Sequence, residues 1–407
     1  MTTTEQHKKL VIFGSGGHGW KSIKKVIDSF DGEVTITMLP VDWGGSTGTI
    51  GRLFKMRNGN LNKKLHGTTS FPVLPFGDIN KFIASYVEDS FENSVTLEYK
   101  GKVINCFEFR SDSYSALIRE FGKIVKALKV SPELELSFYD YLKKYLDYYL
   151  EFKDYLSNPK TTSLGNIWHA FLFYTFNGAN GLVDYYKSKK VIPQNFKLIF
   201  VSDDREVLEG SYTNEYNKNF KLSGEDMVDT SHYPIDPESL KLVHTIEGQE
   251  IVSKKFVNEL EGDSIIIIPN GSLANWLPLI NIEKIAKILE KKSKEGKLIW
   301  VMNLFHSKNE YPFDVYYHYL SGFNITPVIL CPISIPSRYY VSFLKDYQKE
   351  GKTLNYNFNT QPHTSRDLKI GFNNCLEVIT NLDDLNVEGL KYRRESIRLA
   401  VHKYLSV

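Results

Sequence analysis

Cysteine is scarce in this chain: Cys106, Cys331 and Cys375 are the only three in 407 residues. An odd number, far apart and without a CxxC pair, argues against a disulfide framework and against a zinc site built of cysteines, and it fits a reducing cytoplasm. Long apolar runs are missing as well. None approaches the roughly 20 residues that cross a bilayer, and the opening MTTTEQHKKL has no basic segment followed by an apolar one. A cytoplasmic protein without membrane association is therefore expected. Net charge is nearly absent, at +2, which removes any bulk electrostatic reason to expect nucleic acid as a partner. HExxH, a Walker loop, a Ser-His-Asp order and a Cys/His cluster are all lacking, so neither hydrolysis nor zinc chemistry is suggested. No internal repeat or low-complexity tract occurs.

A hydrophobic content of 42% with 24% charged residues describes a folded chain, long enough for one large α/β domain with an insertion or for two domains. Lys9 to Phe13 (KLVIF) is a short apolar strand that runs into Gly14-Ser15-Gly16-Gly17-His18-Gly19. From Trp20 to Phe30 the apolar residues Ile23, Val26, Ile27 and Phe30 recur at helical spacing. A second strand, Val34 to Leu39, completes a βαβ unit, and the fold class is α/β with a Rossmann-like, mostly parallel sheet. Gly14, Gly16 and Gly19 satisfy G-x-G-x-x-G in its usual context, either to hold a phosphate at the helix N-terminus or only to pack helix on strand.

The second strand opens into Asp42-Trp43-Gly44-Gly45-Ser46-Thr47-Gly48. Its glycines allow backbone N–H groups to approach an anion, Ser46 and Thr47 add hydroxyls, and Asp42 can take a metal or a ribose hydroxyl; a surface turn is the plainer reading. In Phe71 to Asn80, two prolines and Gly77 force a turn, and Asp78 opens an amphipathic helix as its N-cap or as a ligand or Mg²⁺ contact. Past Asp89 the α/β rhythm lapses. Phe138, Tyr141, Tyr145, Tyr148, Phe152 and Tyr155 mark one face of a long helix beginning near Ser131-Pro132, which reads as core or as the contact of a homodimer.

In Thr161 to Phe176, Gly165-Asn166 stand at the mouth of another helix, with Asn166 the better ligand candidate and His169 a satisfied core histidine. Lys197 to Val201 is a strand, and Ser202-Asp203-Asp204 reads as a hairpin turn. Asp263 to Ile268 (DSIIII) is a strand covered on both faces, ending in Pro269-Asn270-Gly271-Ser272, with a helix expected from Ala274 to Lys292. Lys297 to Met302 ends in Asn303-Leu304-Phe305-His306, Pro327 to Leu330 reads as the last core strand, and Lys391 to Arg394 reads as a solvated helix face. The expected organisation is a core of residues 1–88 and 160–350, a helical insertion or cap at 89–159, and a C-terminal extension at 351–407 packed on the core. In open α/β sheets ligands bind beyond the carboxyl ends of the strands, where the glycine, serine and asparagine loops would collect. A crevice with many N–H donors and few fixed charges suits the phosphates of a small-molecule nucleotide or sugar nucleotide.

The motif order GxGGxG, DxGGSxGxxxRL, PxGDI, LGN, PxGSL-like, then a strand ending in Asn-Leu, resembles the 2-phospho-L-lactate transferase (CofD)-like superfamily. It is nearer the gluconeogenesis-factor (YvcK-like) branch, given GGSTG in place of GGSSG, and spans roughly residues 9 to 345. The resemblance implies a Rossmann-like sheet with a helical insertion and a nucleotide ligand. In one branch the ligand is a UDP-sugar and the protein is tied to carbon metabolism. In the other, a Mg²⁺-assisted transferase moves a phospholactyl-type group from a nucleotide-activated donor to a hydroxyl acceptor. Carried over by position, Gly14, Gly16, Gly17, Gly19, Gly44, Gly45, Ser46 and Thr47 would face phosphate. Asp42 and Asp78 would hold Mg²⁺ or ribose and serve catalysis, and Gly77, Asn166, Asn270, Gly271, Ser272 and Asn303 would line the remainder. Trp43 stands where the family commonly has a second Asp, and Asn80-Lys81 replaces Arg-Asn, which weakens metal and phosphate contacts respectively.

Overall fold

The computed structural model describes residues 9–14, 19–41, 45–66, 76–156, 161–202, 206–224, 227–228, 231–244, 251–301, 305–306, 309–332, 353–354, 375–378, 380–381, 391–392, 398 and 401. The chain begins with β1 (Lys9–Ile12), α1 (Gly19–Asp28) and β2 (Glu33–Met38), continues through α2 (Gly45–His66) and α3 (Phe76–Phe91), and makes a hairpin of β3 (Thr96–Tyr99) and β4 (Lys102–Asn105). Then come α4 (Tyr114–Leu128), α5 (Pro132–Phe152), α6 (Leu164–Thr175), α7 (Ala179–Ser188), β5 (Phe196–Phe200), β6 (Glu206–Thr213), β7 (Asn219–Ser223) and β8 (Lys241–His244). The rest holds α8 (Lys254–Glu261), β9 (Ser264–Ile268), α9 (Leu277–Ile280), α10 (Glu283–Lys294), β10 (Leu298–Val301), β11 (Phe305–His306), α11 (Phe313–Gly322), β12 (Val328–Pro332), β13 (Thr353–Leu354), β14 (Cys375–Val378), β15 (Thr380–Asn381) and β16 (Lys391–Tyr392). Among the described residues no helix is long and apolar enough to cross a membrane.

Two compact units divide the chain, the first of residues 1–39 and 199–407, the second of 40–198. These boundaries do not coincide with the expected ones at 88/89 and 159/160. The first unit is organised by a seven-stranded sheet in the order β14-β12-β10-β9-β1-β2-β5, to which the boundary strand β5 adds the edge. The registers from β14 through to β2 are parallel, with Val11 opposite Thr35 on one side and Ile266 on the other. Consecutive buried residues in β2 and β10 show that both faces are covered, as a parallel sheet requires. At the amino edge, Lys9 pairs with Glu33 at 3.1 Å and with Glu259, which also accepts from Thr35 Oγ1 at 3.1 Å. Charge therefore closes that end of the sheet, and the loops lie at the other.

Four expectations give way in this unit. Instead of one helix from Ala274 to Lys292 there is a 3-10 turn at Leu273–Asn275, then α9 and α10, because Pro278 removes an N–H donor and Asn281 turns the chain. The Asn281 amide donates to Pro237 O at 2.9 Å and to Leu240 O at 2.6 Å, so the break anchors the segment that leads into β8. The strand from 328 is not the last of the core, since β14 pairs with it in parallel, and Lys391–Tyr392 is a strand opposite Thr380–Asn381 rather than a helix face. Finally, β5 and β6 belong to different sheets, β6 pairing with β7 and β8, so no hairpin joins them; residues 203–205 lie outside the described residues.

The second unit is mainly helical. Ser113, Ser131 and Ser163 accept from backbone N–H groups at the N-termini of α4, α5 and α6, and Pro132 occupies the first turn of α5, where a missing N–H costs nothing. Of the expected aromatic face, Phe138, Tyr141, Tyr145 and Phe152 are core, Tyr148 is half-buried, and Tyr155 lies past the end of α5 in a 3-10 turn and is 77% exposed. Phe138 lies 4.3 Å from Phe121 of α4 and 4.9 Å from Trp168 of α6, ring centre to ring centre, while Tyr141 meets Phe171 at 5.3 Å.

Candidate functional site

In the first unit the strand order reverses at β1: the chain passes from β1 to β2 in one direction, and later strands are laid on the other side beginning with β9. The carboxyl ends of β1 and β9 therefore adjoin at the switch point, where an open α/β sheet offers a crevice. The loop after β1 begins with Phe13, whose N–H donates to Ile267 O at 2.8 Å, and with Gly14 at φ +62°. A Cβ on Gly14 would stand 2.3 Å from Asn275 O and 2.7 Å from Trp276 Cβ, so only glycine lets the two loops close on each other. The Gly14 N–H donates to Thr37 Oγ1 at 3.0 Å, and the same hydroxyl donates to Ile12 O at 2.8 Å. Gly14 thus builds the turn with its amide rather than presenting it.

Asn270, Gly271 and Ser272 lie half-buried at the end of β9. Ser272 Oγ accepts from Ala274 N at 3.3 Å and caps the 3-10 turn, and Leu273 N donates to Glu310 Oε1 at 3.5 Å. Gly19 is the first residue of α1. Gly16, Gly17 and Asn303 lie outside the described residues.

In the second unit the first turns of three helices are tied together. Gly45, Ser46 and Thr47 open α2, and Thr47 Oγ1 accepts from Gly77 N at 2.8 Å, capping α3 from a neighbouring helix. Asp78 is the third residue of α3, not its N-cap, and lies 3.9 Å from Lys81 Nζ. Asn80, one turn in, donates through Nδ2 to Phe107 O at 3.3 Å. Gly165 of α6 packs on that amide so closely that a Cβ there would stand 1.8 Å from Asn80 Oδ1 and 2.8 Å from Phe107 O. Asn166 follows, its N–H donating to Ser163 Oγ at 3.3 Å. Asn80 is 4% exposed and Asn166 2%, yet the Oδ1 of each has no hydrogen-bond partner. Buried polar atoms are nearly always satisfied, so such a pair marks a place where a further group belongs.

Asn166 was legible as a helix-mouth residue. Gly165 stands at the same helix mouth and Asn80 departs from the family pattern, but the sequence marks neither as a close contact, and it does not mark Thr37 at all: Thr37 looks like any β-branched strand residue, and nothing in the spacing says which asparagine of an amphipathic helix turns inward. Asp42 and Gly44 lie outside the described residues. Among the described residues no three His, Cys, Asp or Glu side chains come together. Of the expected Mg²⁺ pair, only Asp78 is described, and an ammonium group stands beside it. The described residues do not compose a metal site.

No family model and no curated protein matches this chain. Solved structures do. Over 98% of this chain and 100% of the other, the fold is similar to that of protein BH3568 from Bacillus halodurans, with a TM-score of 0.59 at 15% identity. A second crystal structure of that protein, described as a member of the UPF0052 family, matches over 97% of this chain and 99% of its own, again at TM-score 0.59, with 16% identity. At these identities the likeness bears on fold, and the fold is α/β and Rossmann-like.

Proposed function

We propose that the chain binds a nucleotide or sugar nucleotide of the UDP-sugar kind beyond the carboxyl ends of β1 and β9. The observation that carries this reading is the reversal of strand order at β1, with Gly14 after β1 seated against Asn275 and Trp276 of the segment that follows β9. The helix N-terminus at Gly19 and the polar loop Asn270–Gly271–Ser272 suit a phosphate and its ribose, since backbone N–H groups and hydroxyls host an anion without a fixed cation. The fold likeness to a UPF0052 protein supports the reading, because that family is the CofD/YvcK group whose motif order the sequence resembles. A regulatory role in carbon metabolism follows from the nearer branch of that resemblance. Mg²⁺-dependent phospholactyl transfer, with Asp42 and Asp78 in catalysis, is the competing reading.

A thermal-shift series with UDP-sugars, guanine nucleotides and dinucleotides, each with and without Mg²⁺, tests it. Ligand at 100 times its Kd adds about 2.7 kcal/mol, or a Tm rise of roughly 5–10 °C. A UDP-sugar shift without metal is expected. A shift confined to guanine nucleotides with Mg²⁺ replaces this reading with the transferase, and no shift with any nucleotide ends both.

A further inference from the structure

A third buried atom joins the two unpartnered amide oxygens of the second unit: Nδ1 of His169, a residue with 0% exposure, also lacks a hydrogen-bond partner. Two of the three residues, Asn80 and His169, meet Phe107, and Asn166 lies beside Gly165 on the helix that carries His169. The Phe107 ring stacks on the His169 imidazole at 5.6 Å with 13° between planes, and its carbonyl accepts from Asn80 and abuts Gly165. On α6, His169 follows Gly165 by four residues and Asn166 by three, which puts it between them on the same face one turn further along.

The protons on this cluster can be assigned from its far end. Trp168 Nε1 can only donate, and it donates to Tyr186 Oη at 3.0 Å. Tyr186 is fully buried, and its other neighbour is His169 Nε2 at 2.8 Å. If Nε2 carried the proton, the Tyr186 oxygen would accept twice and its own O–H would point at nothing. The O–H therefore donates to Nε2. Burial pushes the His169 pKa down to about 3, so the ring is neutral and its one proton sits on Nδ1.

The cluster thus offers one N–H donor and two amide acceptors, with no cation or carboxylate among them. A group that fits must accept once and donate twice. Water does this; a sugar hydroxyl could donate only once, and an ammonium group could not accept. We infer that Asn80, Asn166 and His169 hold a single internal water molecule, which accepts from His169 Nδ1–H and donates to Asn80 Oδ1 and Asn166 Oδ1. This water joins the first turn of α3 to the first turn of α6, and His169 is a positioning residue for both amides. The assignment does not depend on which nucleotide the protein binds.

Selective ¹⁵N-histidine NMR of the full chain tests the proton assignment, and a crystal structure of the same chain tests the water. His169 is expected to show a protonated Nδ1 and an unprotonated Nε2, with one ordered water bridging the three atoms. The opposite tautomer, or three atoms that face no common water, overturns the inference. Substitution adds a second reading. His169→Asn places an N–H where Nδ1 was and should keep the water, whereas His169→Gln places one where Nε2 was and should lose it, with a Tm roughly 5 °C below that of the Asn variant. Equal occupancy of the water in the two variants overturns the role given to Nδ1. If neither variant folds, the tautomer and the water of the unaltered protein still decide.

Discussion

At the end of β1 in the first unit, the Gly14 amide is bonded to Thr37 and its Cα face is packed on Asn275 and Trp276. At the first turns of α3 and α6 in the second unit, another glycine, Gly165, is packed as tightly, yet the amides of Asn80 and Asn166 beside it keep an oxygen without a partner. The same residue types serve two ends. In the first unit glycine and threonine close a turn with their polar groups spent internally. In the second unit they bring buried polar atoms together and leave some unspent. A glycine motif therefore says that two backbones approach closely, and only the hydrogen-bond accounting says whether anything is left for a third party.

Substitution of the two glycines should break this comparison most sharply. Gly14→Ala faces a positive φ and a backbone oxygen at 2.3 Å that cannot move away by itself. A loss of about 3 kcal/mol or more is expected, enough to lower Tm by roughly 10 °C. Gly165→Ala first meets a side-chain atom, Asn80 Oδ1, so it should cost less, and Asn80→Ala made alongside should restore part of the loss. Melting of the two single variants and the Gly165/Asn80 double variant decides. A Gly165→Ala variant less stable than Gly14→Ala, or a strictly additive double variant, would show that the second unit is packed as rigidly as the first.

The threonines sharpen the same contrast at smaller scale. Thr37→Val removes one acceptor and one donor at a fully buried position, stranding Gly14 N–H and Ile12 O, and should cost about 2 kcal/mol. Thr47→Val strands only Gly77 N–H at the start of α3, where the loss of a cap is typically about 1 kcal/mol. Denaturant midpoints at unchanged slope report the two. Equal losses would mean that the Thr47 hydroxyl does more than cap.

How much of this could be read beforehand depended on whether the signal was local. The run SIIII in β9 can only be a strand covered on both faces, and Ser131-Pro132 before an aromatic stripe can only open a helix, and both stand where the pattern put them. The pieces that escaped depend on partners far away in the chain. Four residues, CLEV, carry too little pattern to declare β14; they form a strand because β12 offers an open edge. At the candidate site, Gly14 announces a tight turn, but the group that takes its amide is Thr37, 23 residues on. Asn166 was visible at its helix mouth, whereas the burial of Asn80 and the isolation of His169 Nδ1 follow from the packing of α3 and α6, which no spacing along the chain encodes.

Close to neutral pH the smallest effect lies in the titration of two histidines, and it belongs to the second unit. Burial pushes both His66 and His169 down to about 3. The ordinary imidazole value is about 6.5, so between these two values the unfolded chain binds protons that the folded chain refuses, and stability rises with pH across that window. It is complete above about pH 6.5 and is lost as pH falls toward 3. For one such imidazole the loss from pH 7 to pH 6 is about 0.7 kcal/mol, steepening to about 1.4 kcal/mol per unit below that. His66 sits at the end of α2 with its ring stacked on Tyr174, is only partly enclosed, and should contribute in the same direction. Melting curves of the unaltered protein and of His169→Asn between pH 7.5 and pH 5 check this: the variant should keep His66's share of the slope and lose that of His169. Parallel curves would mean that His169 takes up a proton as readily in the folded chain as in the unfolded one, which a fully buried ring with tyrosine, tryptophan and phenylalanine about it could do only if the second unit opens before it melts.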